Sequence, residues 1–127
     1  MSNDPNIDLV LQFVGHWGPT KKDMFATFDR FFTEATVWEN VGIARTVGID
    51  QAKAFVDGFP GGIDHIDVET LHIASAGNVV LTERIDHLYN AAGELVATLR
   101  LAGAFEISNG RIVQWRDYFD TAPFQGG

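Results

Sequence analysis

Arg84 and Asp86 stand two residues apart in the strand-like run 78–89, and Asp117 stands in the last such run, 111–120. Side chains alternate across a strand, so Arg84 and Asp86 share one face. If that face is buried, two ionised groups are held inside a small domain, which is costly unless they pair with each other or with a further charge. Asp117 is the candidate for that charge. Two carboxylates bridged by one arginine can be held in different protonation states. Asp86 is placed to keep a proton, because its surroundings are apolar and a second carboxylate nearby disfavours double ionisation; Asp117 is placed to stay ionised beside the guanidinium. A base that activates water and an acid that protonates a leaving oxygen make a push-pull hydrolysis needing no metal, cofactor or covalent intermediate. Spacing alone equally allows a structural triad that fixes strand register.

The elements that must position these residues are legible in the pattern. Asp4-Pro5 predicts a helix start, with Ile7, Val10, Leu11 and Val14 at helical spacing and Gly15 as the stop. A second helix is expected over about 21–32, with Met24, Phe25, Phe28, Phe31 and Phe32 on one stripe. A short strand over 35–40, a possible one at 46–48 and a helix over about 49–59 follow, and Pro60-Gly61-Gly62 breaks the chain. Four strand-like runs complete it, at about 64–75, 78–89, 94–107 and 111–120. This order predicts an α+β domain with helices on one face of a mostly antiparallel sheet.

Register brings the charges together. A two-residue turn at Asn109-Gly110 would oppose Asp117 to Ala102 and mix apolar residues with Glu106, so a three-residue loop with a bulge is expected. That pairs Asp117 with Leu101 and Phe119 with Leu99, and the loop 90–93 pairs Leu88 with Leu95, Asp86 with Ala97 and Arg84 with Leu99. One face then carries Thr82, Arg84, Asp86, Leu88, Ala97, Leu99, Leu101, Asp117 and Phe119, with Arg84 in the row between the two aspartates. Strands lie about 4.8 Å apart and rise about 3.3 Å per residue, so only a strongly curled sheet lets both carboxylates meet one guanidinium. Bulges and Gly103 offer a mechanism for the curl.

Composition narrows the remaining possibilities. The 127 residues fit one domain, 1–127, and 46% hydrophobic residues are enough for a core. A net charge of -8 and a pI near 4.7 disfavour nucleic acid and anionic membranes as partners. There is no cysteine, hence no disulfide or thiolate chemistry. Met1 to Asp8 does not read as a signal peptide, and no apolar run approaches the roughly 18 to 20 residues of a membrane span, so a soluble, cytoplasmic protein is the default expectation. His16, His65, His72 and His87 lack ligand spacing, and no metal site is expected.

Arg84-x-Asp86 on one strand, Trp115-Arg116-Asp117-Tyr118-Phe119-Asp120 on the last strand and Glu39-Asn40 upstream, taken in order and at matching separations, resemble the limonene-1,2-epoxide hydrolase family. The resemblance spans the first helix to Asp120. It implies a cone-shaped NTF2-like (SnoaL-like) fold, a strongly curved sheet with three to four N-terminal helices on its concave side. It also implies roles: Asp117 as the base that deprotonates water, Asp86 as the acid that protonates the epoxide oxygen, Arg84 as the residue binding both, and Asn40 as a positioner of the water. Where the family has a tyrosine helping to hold that water, this chain has Trp38, whose indole donates one hydrogen bond and accepts none. Val68, Leu88, Leu99, Leu101 and Phe119 are expected to line an apolar pocket for a small epoxide, and a homodimer is implied. The same cone hosts ketosteroid-isomerase-like enzymes, polyketide cyclases and non-catalytic binders, so fold leaves those functions open.

Overall fold

The computed structural model describes residues 4–124, so the first three residues of the stretch read for a signal sequence lie outside the described residues. Helix α1 (Pro5–Val14) starts where Asp4 Oδ1 accepts hydrogen bonds from the backbone N–H groups of Asn6 and Ile7, and it buries Val10, Phe13 and Val14. Helix α2 (Lys21–Phe31) opens on a capping box: Thr20 and Asp23 each accept the other's backbone N–H. Its buried stripe is Met24, Thr27, Phe28 and Phe31. Strand β1 (Phe32–Asn40) begins at once, earlier than the expected 35–40, and turns into β2 (Ala44–Val47). Helix α3 (Gly48–Asp57) follows these two strands, in the order expected and within two residues of the expected 49–59. Strands β3 (His65–Ala76), β4 (Val79–Tyr89), β5 (Leu95–Ser108) and β6 (Arg111–Phe119) lie within a residue of the expected runs, and a 3₁₀ turn, Ala122–Phe124, follows.

The six strands form one curved sheet in the order β2-β1-β6-β5-β4-β3. Every neighbouring pair is antiparallel except β1 and β6, which run parallel with Trp38 opposite Trp115 and Asn40 opposite Asp117. The helices supply Val10, Phe13, Phe28 and Ala52 to a core shared with Phe32, Val80, Phe105, Ile112 and Trp115 of the sheet. Phe13 sits at its centre, its ring 5.2 Å from that of Trp115 and 5.6 Å from that of Phe32.

Both expected registers are corrected, each by two residues and in the same direction along β5. Asp117 pairs with Gly103 rather than Leu101, Asp86 with Leu99 rather than Ala97, and Arg84 with Leu101 rather than Leu99. The last hairpin does use a two-residue turn, with Asn109 and Gly110 at φ 52° and 74°, as a turn of the primed type requires. Val113 is then inserted as an extra residue, since Ile112 faces Ile107 while Gln114 faces Glu106. In the preceding hairpin Val96 is the extra residue, between Leu95 opposite Tyr89 and Ala97 opposite Leu88. The sequence reading placed one bulge within the turn and none beside Tyr89. An even slip leaves each side chain on its face, and a common slip keeps Arg84 in the row between the two aspartates.

Candidate active site

Arg84, Asp86 and Asp117 meet inside the cone, and their residues are 1%, 4% and 3% exposed. Arg84 grips Asp86 with two bonds, Nε to Oδ1 at 3.2 Å and Nη2 to Oδ2 at 3.1 Å. The same Nη2 donates to Asp117 Oδ2 at 3.0 Å, and Nη1 donates to Thr82 Oγ1 at 2.9 Å. Such partly bidentate contacts to a guanidinium are what makes burying three ionisable groups together tolerable. Asp117 Oδ1 accepts a further bond from Trp115 Nε1 at 2.8 Å.

Strand β5 lies between Arg84 and Asp117, and Gly103 is where the two side chains cross it. A Cβ at Gly103 would lie 2.5 Å from both Arg84 Nη1 and Asp117 Oδ1, and 3.1 Å from Thr82 Oγ1. The missing side chain is the gap in the inner layer through which guanidinium and carboxylate touch. Gly103→Ala is therefore expected to lower stability by about 1–3 kcal/mol as an overpacking change, read from the urea midpoint. Glycine at an ordinary open strand position would instead gain stability on becoming alanine.

Asp117 is held above the ordinary carboxylate range. Burial away from water is the largest cause and the charge of Asp86 adds to it, while Arg84 and Trp115 favour the ionised form without cancelling the rise. Arg84 is disfavoured as a cation by its own burial, but the two aspartates outweigh this and its pKa ends above the usual value. It remains the fixed positive charge of the group.

Asn40, 9% exposed, sits beside Asp117 through the parallel β1–β6 pairing, and both line a cavity of about 60 Å³ with Asp86. Trp38 lines it too, stacked on Trp115 with ring centroids 4.5 Å apart and planes 3° from parallel. Leu88, Leu99, Leu101 and Phe119 form part of the wall. Val68 does not: it lies opposite Asp86 on β3 but lines a separate groove with Gly15, Gly18 and His65. Ile66, on the same face two residues earlier, lines the cavity in its place, beside Trp17, whose carbonyl accepts the Ile66 N–H at 3.0 Å. The aromatic residues Trp17, Phe28, Phe55, Phe59 and Phe124 complete much of the enclosure. The outward polar residues pair with one another, Arg116 with Glu106 at 2.9 Å and the His87 ring nitrogen Nε2 with Glu69 Oε1 at 3.3 Å.

Two hydrogen-bonding side chains and one strand pairing were not expected from the sequence. Trp115 stands two residues before Asp117 on one strand, the same spacing that drew attention to Arg84 and Asp86. Thr82 lies on the expected face, and its partner there is Arg84 Nη1. The parallel neighbour relation of Asn40 and Asp117 has no local signal, because it joins the first strand to the last.

A family model for the limonene-1,2-epoxide hydrolase catalytic domain matches residues 16–125. Epoxide hydrolase EphG of Mycobacterium tuberculosis (strain ATCC 25618 / H37Rv) is 36% identical over 96 residues, 76% of this chain and 62% of that protein, so the match leaves more than a third of the relative's length uncovered. The solved structure of an M. tuberculosis LEH-like epoxide hydrolase is similar over 92% of this chain and 84% of its own, with 30% identity and a TM-score of 0.73. An NTF2-like protein of unknown function from Burkholderia pseudomallei K96243 shares the fold at a TM-score of 0.76 over 95% of both chains, with 18% identity. The fold is thus NTF2-like, and the chain belongs to the limonene-1,2-epoxide hydrolase family.

Proposed function

We propose that this protein is an epoxide hydrolase adding water to a small cyclic or terpene-type epoxide, such as limonene-1,2-epoxide, to give a vicinal trans diol. The observation that carries the reading is one buried guanidinium bridging two carboxylates at 3.0 and 3.1 Å, with Asn40 beside the second carboxylate on one apolar cavity. Family membership and the name of the mycobacterial relative support the same activity.

The step balances without metal, cofactor or covalent intermediate. Asp117, with one lone pair on each oxygen still free of Arg84 and Trp115, takes a proton from water; Asn40 and the Trp38 N–H orient that water. The water oxygen attacks one ring carbon as its C–O bond breaks, and Asp86 gives its proton to the departing oxygen. Ring strain supplies the driving force, and attack opposite the leaving oxygen inverts the carbon. The cycle closes when the proton gained by Asp117 is exchanged for the one lost by Asp86. Arg84 keeps the group near neutrality, because one guanidinium balances one carboxylate.

A ketosteroid isomerase needs one base with neutral oxyanion donors, and an arginine shared by two carboxylates does not supply that pair of roles. Turnover of limonene-1,2-epoxide, cyclohexene oxide and a steroid ketone tests the reading. A trans diol from an epoxide and no isomerised ketone is the expected result; ketone isomerisation without diol would replace hydrolase with isomerase.

The raised pKa of Asp117 sets a pH dependence. A base must be ionised, so the acid limb of kcat/KM should lie above the ordinary aspartate value of 3.8. Trp115→Phe removes a donor to the charged form, and hydrogen bonds to charged groups are worth about 1.5–3 kcal/mol, so the limb should move up by roughly one to two pH units. An unmoved limb would place the essential base elsewhere. In stability the sign is fixed likewise: the folded value exceeds the unfolded one, so this group's contribution is present below the unfolded pKa and is lost as pH rises through the folded pKa.

The same reading assigns a cytoplasmic homodimer without nucleic-acid or membrane partners. Support comes from Leu81 and Tyr118, exposed on the outer side of the sheet, and from the charge of -8.

A further inference from the structure

Two buried side-chain polar atoms among the described residues have no hydrogen-bond partner, and both are indole nitrogens: Nε1 of Trp17 and Nε1 of Trp38. Buried N–H groups are nearly always paired, and leaving one unpaired costs free energy that a phenyl ring at the same place would avoid. Both residues line the cavity that holds Asp86, Asp117 and Asn40. Trp115 touches both rings, with centroids 4.5 Å from Trp38 and 5.4 Å from Trp17, and its own N–H is committed to Asp117. The proposed reaction uses the Trp38 N–H for water and leaves that of Trp17 without a task.

Trp17 stands at the centre of the chemistry although it belongs to the connection between α1 and α2. Its ring centroid is 5.9 Å from Arg84 Cζ, and its residue is 2% exposed. The aromatic rings against it are Phe13 at 5.1 Å and Trp115 at 5.4 Å, neither of which accepts a conventional hydrogen bond. Packing thus explains a large ring here and does not explain its nitrogen.

We propose that Trp17 Nε1–H donates a hydrogen bond to an oxygen of the bound ligand, so that the site selects a ligand with an acceptor oxygen over a hydrocarbon of equal shape. The epoxide hydrolase reading is needed only to say what the ligand is. The acceptor is then either the epoxide oxygen itself or a carbonyl or hydroxyl oxygen elsewhere on the ring skeleton; both present a lone pair to the same donor.

The test separates binding from turnover. Cyclohexanone and methylenecyclohexane have the same shape and differ in C=O against C=CH₂. Their affinities are measured by ligand-detected NMR titration for the wild-type chain, for Trp17→Phe, and for a chain carrying β-(3-benzothienyl)alanine at position 17. The last keeps the bicyclic shape and puts sulfur in place of N–H, so the comparison survives even if Trp17→Phe does not fold. The wild-type preference for the ketone should shrink about five- to tenfold in the substituted chains. An unchanged preference would overturn the proposal. Turnover of cyclohexene oxide and 2,3-epoxycyclohexanone then identifies the acceptor: a fall with both substrates indicates the epoxide oxygen, and a fall confined to the epoxyketone indicates the second oxygen. Absence of turnover with every epoxide would refute the hydrolase reading, while the ketone comparison still decides the role of Trp17.

Discussion

Asp117→Asn is expected to lower kcat by about 10²- to 10⁴-fold, the usual worth of a positioned general base, in a chain that still folds. Asparagine matches aspartate in shape, so its carbonyl oxygen can still accept from Arg84 Nη2 or Trp115 Nε1, the two groups that hold Asp117 at 3.0 and 2.8 Å. It has no lone pair basic enough to take a proton from water. Its amide N–H₂ must face whichever donor its oxygen does not take, so the variant should lose about 1–3 kcal/mol of stability, less than the roughly 5–15 kcal/mol that holds a domain folded. The paired measurement is kcat with a thermal or urea transition on the same preparation. Undiminished turnover in a folded variant would remove Asp117 from the chemistry.

Arg84→Met should have the largest effect on stability. Methionine fills a similar elongated space but leaves Asp86 and Asp117, both under 5% exposed, without their shared cation. Removing one partner of a buried ion pair costs about 3–5 kcal/mol, a large share of the roughly 5–15 kcal/mol that holds a domain folded. The loss comes from stranded carboxylates, so it should shrink in acid, where both can be protonated. It should shrink too in a chain already carrying D86N and D117N. Urea unfolding near pH 7 and near pH 4 in both backgrounds measures this. Equal loss in all four conditions would mean that Arg84 contributes through packing against Trp17 and Phe105, whose ring centroids lie 5.9 and 5.7 Å from its Cζ.

Much of this site follows from alternation alone. Arg84 and Asp86 share a face because residues i and i+2 always do, and the charge on that face demanded a third partner. Asp117 could be assigned to that face despite a wrong register, since a two-residue slip preserves parity. What parity cannot give is which residue lies opposite which, and here two bulges decided it. Val96 and Val113 carry no mark in composition that distinguishes them from neighbouring strand residues. Their consequence is that Gly103, expected to help curl the sheet, proves to be the opening through which Arg84 reaches Asp117. The start of α1 was legible because capping is local chemistry and Asp4 before Pro5 announces itself, whereas α3 has no side-chain cap. The parallel pairing that brings Asn40 beside Asp117 joins residues far apart in the chain and follows only from the strand order, in which β1 lies next to β6. Val68 failed as a wall residue for a related reason, since the segment around Gly15 and Gly18 lies over β3 there.

The central claim is that Asp117 activates water and no carboxylate attacks the substrate. Single-turnover hydrolysis of cyclohexene oxide in oxygen-18 water, with enzyme in excess, tests it most directly. One labelled oxygen is expected in every diol and none in the protein. Label in Asp86 or Asp117, with unlabelled diol in the first turnover, would show a covalent ester and contradict it.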